Sequence, residues 1–142
     1  MEWMFLPLRR YADFSGRSRR LEYWLFSLFV LFFLVGTALI VGMAGVMTAD
    51  NGIESSGSGI FPTFSFLAII IGFFALLIPM IAVTVRRLHD QDKSGWFILV
   101  YFVPYVGGLI LMVLMFIDGT AGPNRFGPDP KGRGDTLADV FM

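Results

Sequence analysis

YWLFSLFVLFFLVGTALIVGMAGVMTA, residues 23–49, runs without a single Asp, Glu, Lys, Arg or His. A helix over this stretch has no polar side to turn to water, which a surface helix of a soluble domain needs, yet it is long enough to cross a bilayer. At ~1.5 Å per residue, residues 23–47 reach about 37 Å against ~30 Å of hydrocarbon, so the helix tilts or protrudes. Tyr23 and Trp24 stand at its start, where rings with apolar bodies and polar tips suit the membrane interface. The apolar stretch of a cleaved signal peptide is only ~7–15 residues, so the mature chain is expected to begin at or near Met1.

Residues 55–85 and 94–117 likewise contain no Asp, Glu, Lys, Arg or His. These runs raise the hydrophobic content of the 142-residue chain to 56% and the mean hydropathy to +0.70, above an ordinary soluble domain. The expected fold is an all-α integral membrane protein with about three transmembrane helices. A basic interfacial amphipathic arm covers 1–22, spans cover 23–47 and 64–85, and a flexible Gly/Ser-rich loop, 48–63, joins them. A charged turn over 86–95 leads to a third span over 96–117, followed by an irregular Gly/Pro-rich tail, 118–142. Pro79 predicts a kink in the second span. Ala38 with Gly42, and Ala68 with Gly72, are small-residue pairs that allow helices to approach closely. Pro104, Gly107 and Gly108 interrupt the third run, which is expected to cross as one kinked helix, with a re-entrant hairpin as the alternative.

The formal net charge is zero, but its placement is uneven. Arg9, Arg10, Arg17, Arg19 and Arg20 precede the first span, Arg86, Arg87 and Lys93 follow the second, and residues 50–62 contain no Lys or Arg. Cytoplasmic loops retain such residues, so the N-terminus and second loop are expected in the cytoplasm. A third span then places Arg125, Lys131 and Arg133 outside. With no Cys there is no disulfide, thiolate nucleophile or cysteine-ligated metal, and His89 alone cannot build a metal site. The apolar runs hold none of the ionisable residues that mark proton or ion paths. No cofactor and no nucleic-acid partner are expected.

The distinctive residues lie outside the apolar runs. Gly16-Arg17-Ser18-Arg19-Arg20-Leu21-Glu22-Tyr23-Trp24 gathers guanidinium groups at headgroup depth, where attraction to anionic lipid is worth about 1 kcal/mol per residue. Glu22 needs a cation to offset its desolvation: Arg19 locally, or Arg86 or Arg87 from a distance. Ser18 is expected to cap a helix that continues into the first span. Arg86-Arg87-Leu88-His89-Asp90 leads to Ser94-Gly95-Trp96 and places the only His just ahead of Asp90 and Asp92, with a hydroxyl nearby. A catalytic triad needs the hydroxyl against one imidazole nitrogen and the carboxylate against the other, which adjacency in a turn does not arrange. A salt-bridged turn with Asp90 balancing Arg86 or Arg87 is expected instead. In the tail, Asn124, Arg125, Phe126 and Asp129 stand at fixed positions among glycines and prolines, a pattern too specific for a linker, and docking on the body or on a partner is expected. This tail lacks the Gly-Lys-Ser/Thr ending of a phosphate loop.

Gly16-Arg17-x-x-Arg20-x-Glu22-Tyr23-Trp24, Arg86-Arg87-Leu88-His89-Asp90 with Ser94-Gly95-Trp96, and Gly122-Pro123-Asn124-Arg125-Phe126-Gly127-Pro128-Asp129-Pro130 occur in that order. Together they resemble the pattern of the domain of unknown function 805 family, small bacterial inner-membrane proteins. The resemblance covers nearly the whole chain and implies a bacterial inner-membrane location, but no activity; the first loop looks longer than is usual in such proteins. The expected function is a non-enzymatic membrane component whose charged arm and second loop engage anionic lipid headgroups or a partner, either a second copy or another membrane protein. The alternatives are a subunit of an oligomeric transport or channel assembly, and a membrane-bound enzyme using His89 and Asp90.

Overall fold

The structure, a computed structural model, describes residues 2–50 and 60–133. Most of the expected flexible loop and the end of the tail lie outside the described residues. The element order is α1 (Glu2–Arg9), α2 (Arg20–Asp50), α3 (Ile60–Asp90), a 3-10 helix over Gly95–Phe102 and α4 (Gly107–Phe116). No strand occurs among the described residues; the tail holds one isolated bridge between Asn124 and Gly127. α2 and α3 are long and apolar enough to cross a membrane. The chain forms two compact units, Met1–Phe26 with Pro79–Met142, and Ser27–Ile78.

The unit Ser27–Ile78 carries the middle of α2 and the first part of α3. Its outer surface is apolar, with Phe32 70%, Ile40 71% and Phe64 68% exposed, so lipid rather than water is the compatible solvent. Gly72 receives the Phe33 ring, which lies 3.3 Å from where a Cβ would stand. Ala38 and Gly42 instead line an open apolar groove with Leu39, Met43 and Val46. Gly72, from one of the two small-residue pairs, thus makes room on α3 for a ring from α2.

The other unit differs from expectation in three places. α3 runs through Pro79 and on to Asp90, so Arg86, Arg87, His89 and Asp90 stand on its final turns and the connecting turn starts only at Gln91. That end is closed by Asp92 in the left-handed region at φ 57, where an Asp is tolerated. Lys93 N–H donates to the Leu88 carbonyl and Asp92 N–H to that of His89, each at 3.0 Å, the reciprocal closure of a Schellman motif. α2 begins at Arg20, so Ser18 precedes the helix, and its N–H donates to the Arg86 carbonyl at 3.2 Å.

The third departure concerns the last apolar run, which is not one helix. Ser94 accepts a hydrogen bond from Trp96 N–H and opens the 3-10 segment. The chain then turns at Pro104 and at Tyr105, whose φ is 66, and α4 returns. Gly107 makes the crossing, since a Cβ there would lie 2.2 Å from the Val100 carbonyl oxygen. Leu111 and Met115 on α4 pack with Leu88, against Tyr23, Trp24 and Ile98, and Trp24 meets Phe116 at 4.5 Å between ring centroids. The run leaves the end of α3 and comes back to it. The tail therefore lies beside the arm rather than at the far end of a third span. The physical reason is the pairing of Pro104, which has no N–H to continue a helix, with Gly107, which lets the returning backbone touch the outgoing one.

Candidate functional site: a buried ionic knot

The knot forms where the C-terminal ends of α3 and α4 meet the start of α2. Both C-termini carry unpaired carbonyls and partial negative charge, and arginines gather there. Arg17 lies ahead of α2, with its side chain 1% exposed. Its Nε donates to Asp90 Oδ1 at 2.9 Å, its Nη2 to the Thr120 carbonyl at 2.6 Å, and its Nη1 to the Gly122 carbonyl at 2.7 Å. Arg87 donates to Asp90 Oδ2 and to the Ile117 carbonyl. Arg20 donates to the Phe116 carbonyl at 3.0 Å, and Gln91 to that of Leu114. The Leu114, Phe116 and Ile117 carbonyls at the end of α4 are thus satisfied by side chains from the start of α2 and the end of α3.

Glu22 pairs with Arg86 at 3.2 Å, with side chains 3% and 0% exposed. Of the cations considered for Glu22, the structure selects Arg86; Asp90 takes Arg87, and also Arg17, a partner 73 residues away. Arg19 goes to the Pro130 carbonyl instead. Gly119 lies so close over Asp90 that a Cβ would stand 2.0 Å from Oδ2. Thr120 N–H donates to the Asp90 carbonyl at 2.9 Å.

The tail residues close over this end. Asn124 Nδ2 donates to the His89 carbonyl at 2.9 Å, and Phe126 N–H to Asn124 Oδ1 at 2.9 Å, an Asx turn. Phe126 stacks on the His89 ring at 3.9 Å and 3°, and Arg125 donates to Asp92 Oδ1 at 3.0 Å. Asp129 is bonded by Arg133 at 2.9 Å and lies 3.9 Å from Arg17. Expected docking of the tail on the body is what the geometry shows.

The structure therefore brings Gly16, Arg17, Arg20, Glu22, Arg86, Arg87, His89, Asp90, Asn124, Arg125, Phe126 and Asp129 to one place. Tyr23 and Trp24 pack beneath it, whereas Trp96 is 77% exposed on the hairpin. The sequence does not single out Gln91, Thr120, Asp118 or Arg133; Gly119 and Thr120 stand just ahead of the tail motif, and only the close approach to Asp90 gives them a role. His89 Nδ1 faces the Gly16 carbonyl at 3.3 Å, Ser94 accepts from Trp96 N–H, and Asp90 is held by two arginines. Each member of the conceivable triad is engaged elsewhere. No cluster of metal-ligating side chains occurs among the described residues.

A model of the family described as "Protein of unknown function (DUF805)" matches residues 11–128. The chain belongs to this family. The match takes in the first two motifs whole and the third as far as Pro128, leaving Asp129 and Pro130 outside it. The chain is similar to inner membrane protein YhaH of Escherichia coli strain K12, 41% identical over 131 residues, covering 92% of this chain and 98% of the relative. It is similar to inner membrane protein YhaI of the same strain, 38% identical over 131 residues, covering 92% and 97%. A more distant similarity, 26% over 155 residues, is to the uncharacterized protein YiiR. No solved structure matches. The DUF805 chain is thus a helical inner-membrane protein, with its family motifs folded into one buried ionic assembly.

The carboxylates outside the spans give this assembly a pH dependence. Burial works against ionisation of Asp129, but the Arg133 hydrogen bond, the Lys131 N–H and the charges of Arg133 and Arg17 outweigh it and hold the carboxyl at about 2. The Lys131 hydrogen bond likewise lowers Asp118, and the Ser15 hydroxyl and N–H hold Asp13 at about 2. A carboxyl lowered on folding contributes stability that is complete above its unfolded value and lost as pH falls through its folded one. The unfolding midpoint in detergent is expected to drop between roughly pH 5 and pH 2, with Asp129→Asn flattening that slope. An unchanged slope in the variant would remove Asp129 from the account.

Proposed function

We propose that this protein is a non-enzymatic inner-membrane component whose N-terminus is cytoplasmic and whose knot-bearing face binds anionic lipid headgroups. The observation that carries the reading is the division of labour among the cations. Arg17, Arg86 and Arg87 are buried and spent on Asp90, Glu22 and backbone carbonyls, so they fold the knot rather than meet lipid. Arg9, exposed on α1, half-buried Lys93, which donates to Gln91, and the 63%-exposed Arg125, paired with the exposed Asp92, stand at the rim. All 11 Lys and Arg precede residue 21 or follow residue 85, while Asp50, at the end of α2, and Glu54 lie between the two long helices' apolar runs, so the two charged regions differ in sign. Cytoplasmic retention of Lys and Arg supports the orientation, and each rim cation is worth about 1 kcal/mol toward an anionic surface.

Purification in mild detergent followed by lipid analysis tests this. Phosphatidylglycerol is expected to be retained over phosphatidylethanolamine, and the Arg9→Ala/Lys93→Ala/Arg125→Ala variant is expected to lose that preference while remaining folded. Equal retention by both proteins would discard headgroup binding.

A further inference from the structure

The apolar segment Gly95–Phe116 has no place in the knot except at its two ends. We propose that it is a re-entrant hairpin that enters the hydrocarbon of the leaflet beside the knot and leaves on the same side, with lipid acyl chains as its partner.

Both ends are tied to one layer. The outgoing strand of chain starts at Ser94, directly after the closed end of α3, and α4 finishes with the Phe116 and Ile117 carbonyls held by Arg20 and Arg87. Between them the surface is apolar and open. Trp96 is 77% exposed, Phe102 78%, and Tyr105 fully so, while Leu109, Val113 and Phe116 on α4 are more than half or half exposed. Water is a poor neighbour for such a surface, and residues 94–117 contain no Asp, Glu, Lys, Arg or His.

The tip also answers most of the condition that lipid imposes on backbone, where each exposed donor needs an internal partner, with the Tyr105 N–H as the exception among its donors. Val103 N–H donates to the Val100 carbonyl at 3.0 Å, Val106 N–H to Pro104 at 2.8 Å, and Gly107 N–H to Val103 at 2.9 Å. Pro104 has no N–H to satisfy. The ten residues of α4 rise ~15 Å, about half of the ~30 Å hydrocarbon. A hairpin of that depth fits one leaflet.

Charge placement agrees with the geometry. A third crossing would separate Arg125, Lys131 and Arg133 from the other cations, whereas a hairpin leaves all 11 Lys and Arg of the chain on one face, the arrangement that retention of basic residues favours.

The absence of Cys permits single-cysteine mapping on an otherwise native chain. Ala12→Cys in the arm, Ala121→Cys in the tail and Ser55→Cys in the first loop report sides through a membrane-impermeant maleimide, applied to spheroplasts and to inside-out vesicles. Ala12→Cys and Ala121→Cys are expected to label in the same preparation and Ser55→Cys in the other. Labelling of Ala121→Cys together with Ser55→Cys would mean a crossing and overturn the proposal. A nitroxide on Tyr105→Cys, or on Val103→Cys should the first variant fold poorly, then reads the occupant in proteoliposomes. Relaxation by oxygen and not by a water-soluble nickel chelate is expected. Nickel accessibility, or shielding from both reagents by a protein neighbour, would overturn it. These readings compare sides only, so a reversed orientation or absent headgroup binding leaves the outcome intact.

Discussion

Asp90→Asn is expected to destabilise the folded protein by about 3–5 kcal/mol, the cost of breaking a buried pair and leaving its charges uncompensated. The carboxylate of Asp90 receives Arg17 on one oxygen and Arg87 on the other, with all three side chains at most 2% exposed. The amide is nearly the same shape, so the effect is one of charge and not of volume. Two guanidinium groups then share an interior in which Asp129, at 3.9 Å from Arg17, and the partly exposed Asp118 near Arg87 are what remains of counter-charge. Because Arg17 also holds the Thr120 and Gly122 carbonyls, its displacement should release the tail, seen as faster cleavage near residue 121 by protease at a temperature where the wild-type chain resists. Asp92→Asn is the control. Its pair with Arg125 is 45% and 63% exposed, so a change below about 1 kcal/mol is expected. Equilibrium unfolding in mixed micelles measures both, and similar losses for the two variants would show that the knot does not carry the stability assigned to it.

Gly107→Ala should cost about 1–3 kcal/mol or more, and Gly108→Ala nothing. A Cβ at position 107 would lie 2.2 Å from the Val100 oxygen and 2.7 Å from the Tyr101 oxygen. Both obstacles are backbone, so no side-chain rotation relieves them and the returning helix must move away. At position 108 the nearest atom is Tyr101 Cε2 at 3.9 Å, an ordinary contact, and replacing a helical glycine by alanine is intrinsically favourable by up to about 1 kcal/mol. The same unfolding measurement separates the two, because the contrast lies in the midpoint. Equal midpoints would mean that the 3-10 segment and α4 do not close against each other.

The membrane class and the two long helices are legible in residues 23–49 and 55–85, because an uncharged helix without a polar face can be stable in only one kind of solvent. The membership of the knot is legible to a large extent as well, since charged residues bordering hydrocarbon must find partners. Which partner each one takes is not. Glu22 had Arg19 within one helical turn and Arg86 or Arg87 far off, and local spacing favours the first; the packing of α2 against α3 brings Arg86 instead and leaves Arg19 to the Pro130 carbonyl.

The last apolar run shows where such reading stops. Composition made it apolar and Pro104 made it breakable, but a kink and a reversal use the same residues, and hydropathy is blind to direction. What settles the matter is contact between distant segments: Gly107 against Val100, Phe116 and Ile117 against Arg20 and Arg87, Thr120 against Asp90. Solvent preference is a sum over residues and can be read along the chain. Pairing and direction depend on which surfaces meet, and only the folded chain brings Arg17, Asp90 and the tail within bonding distance.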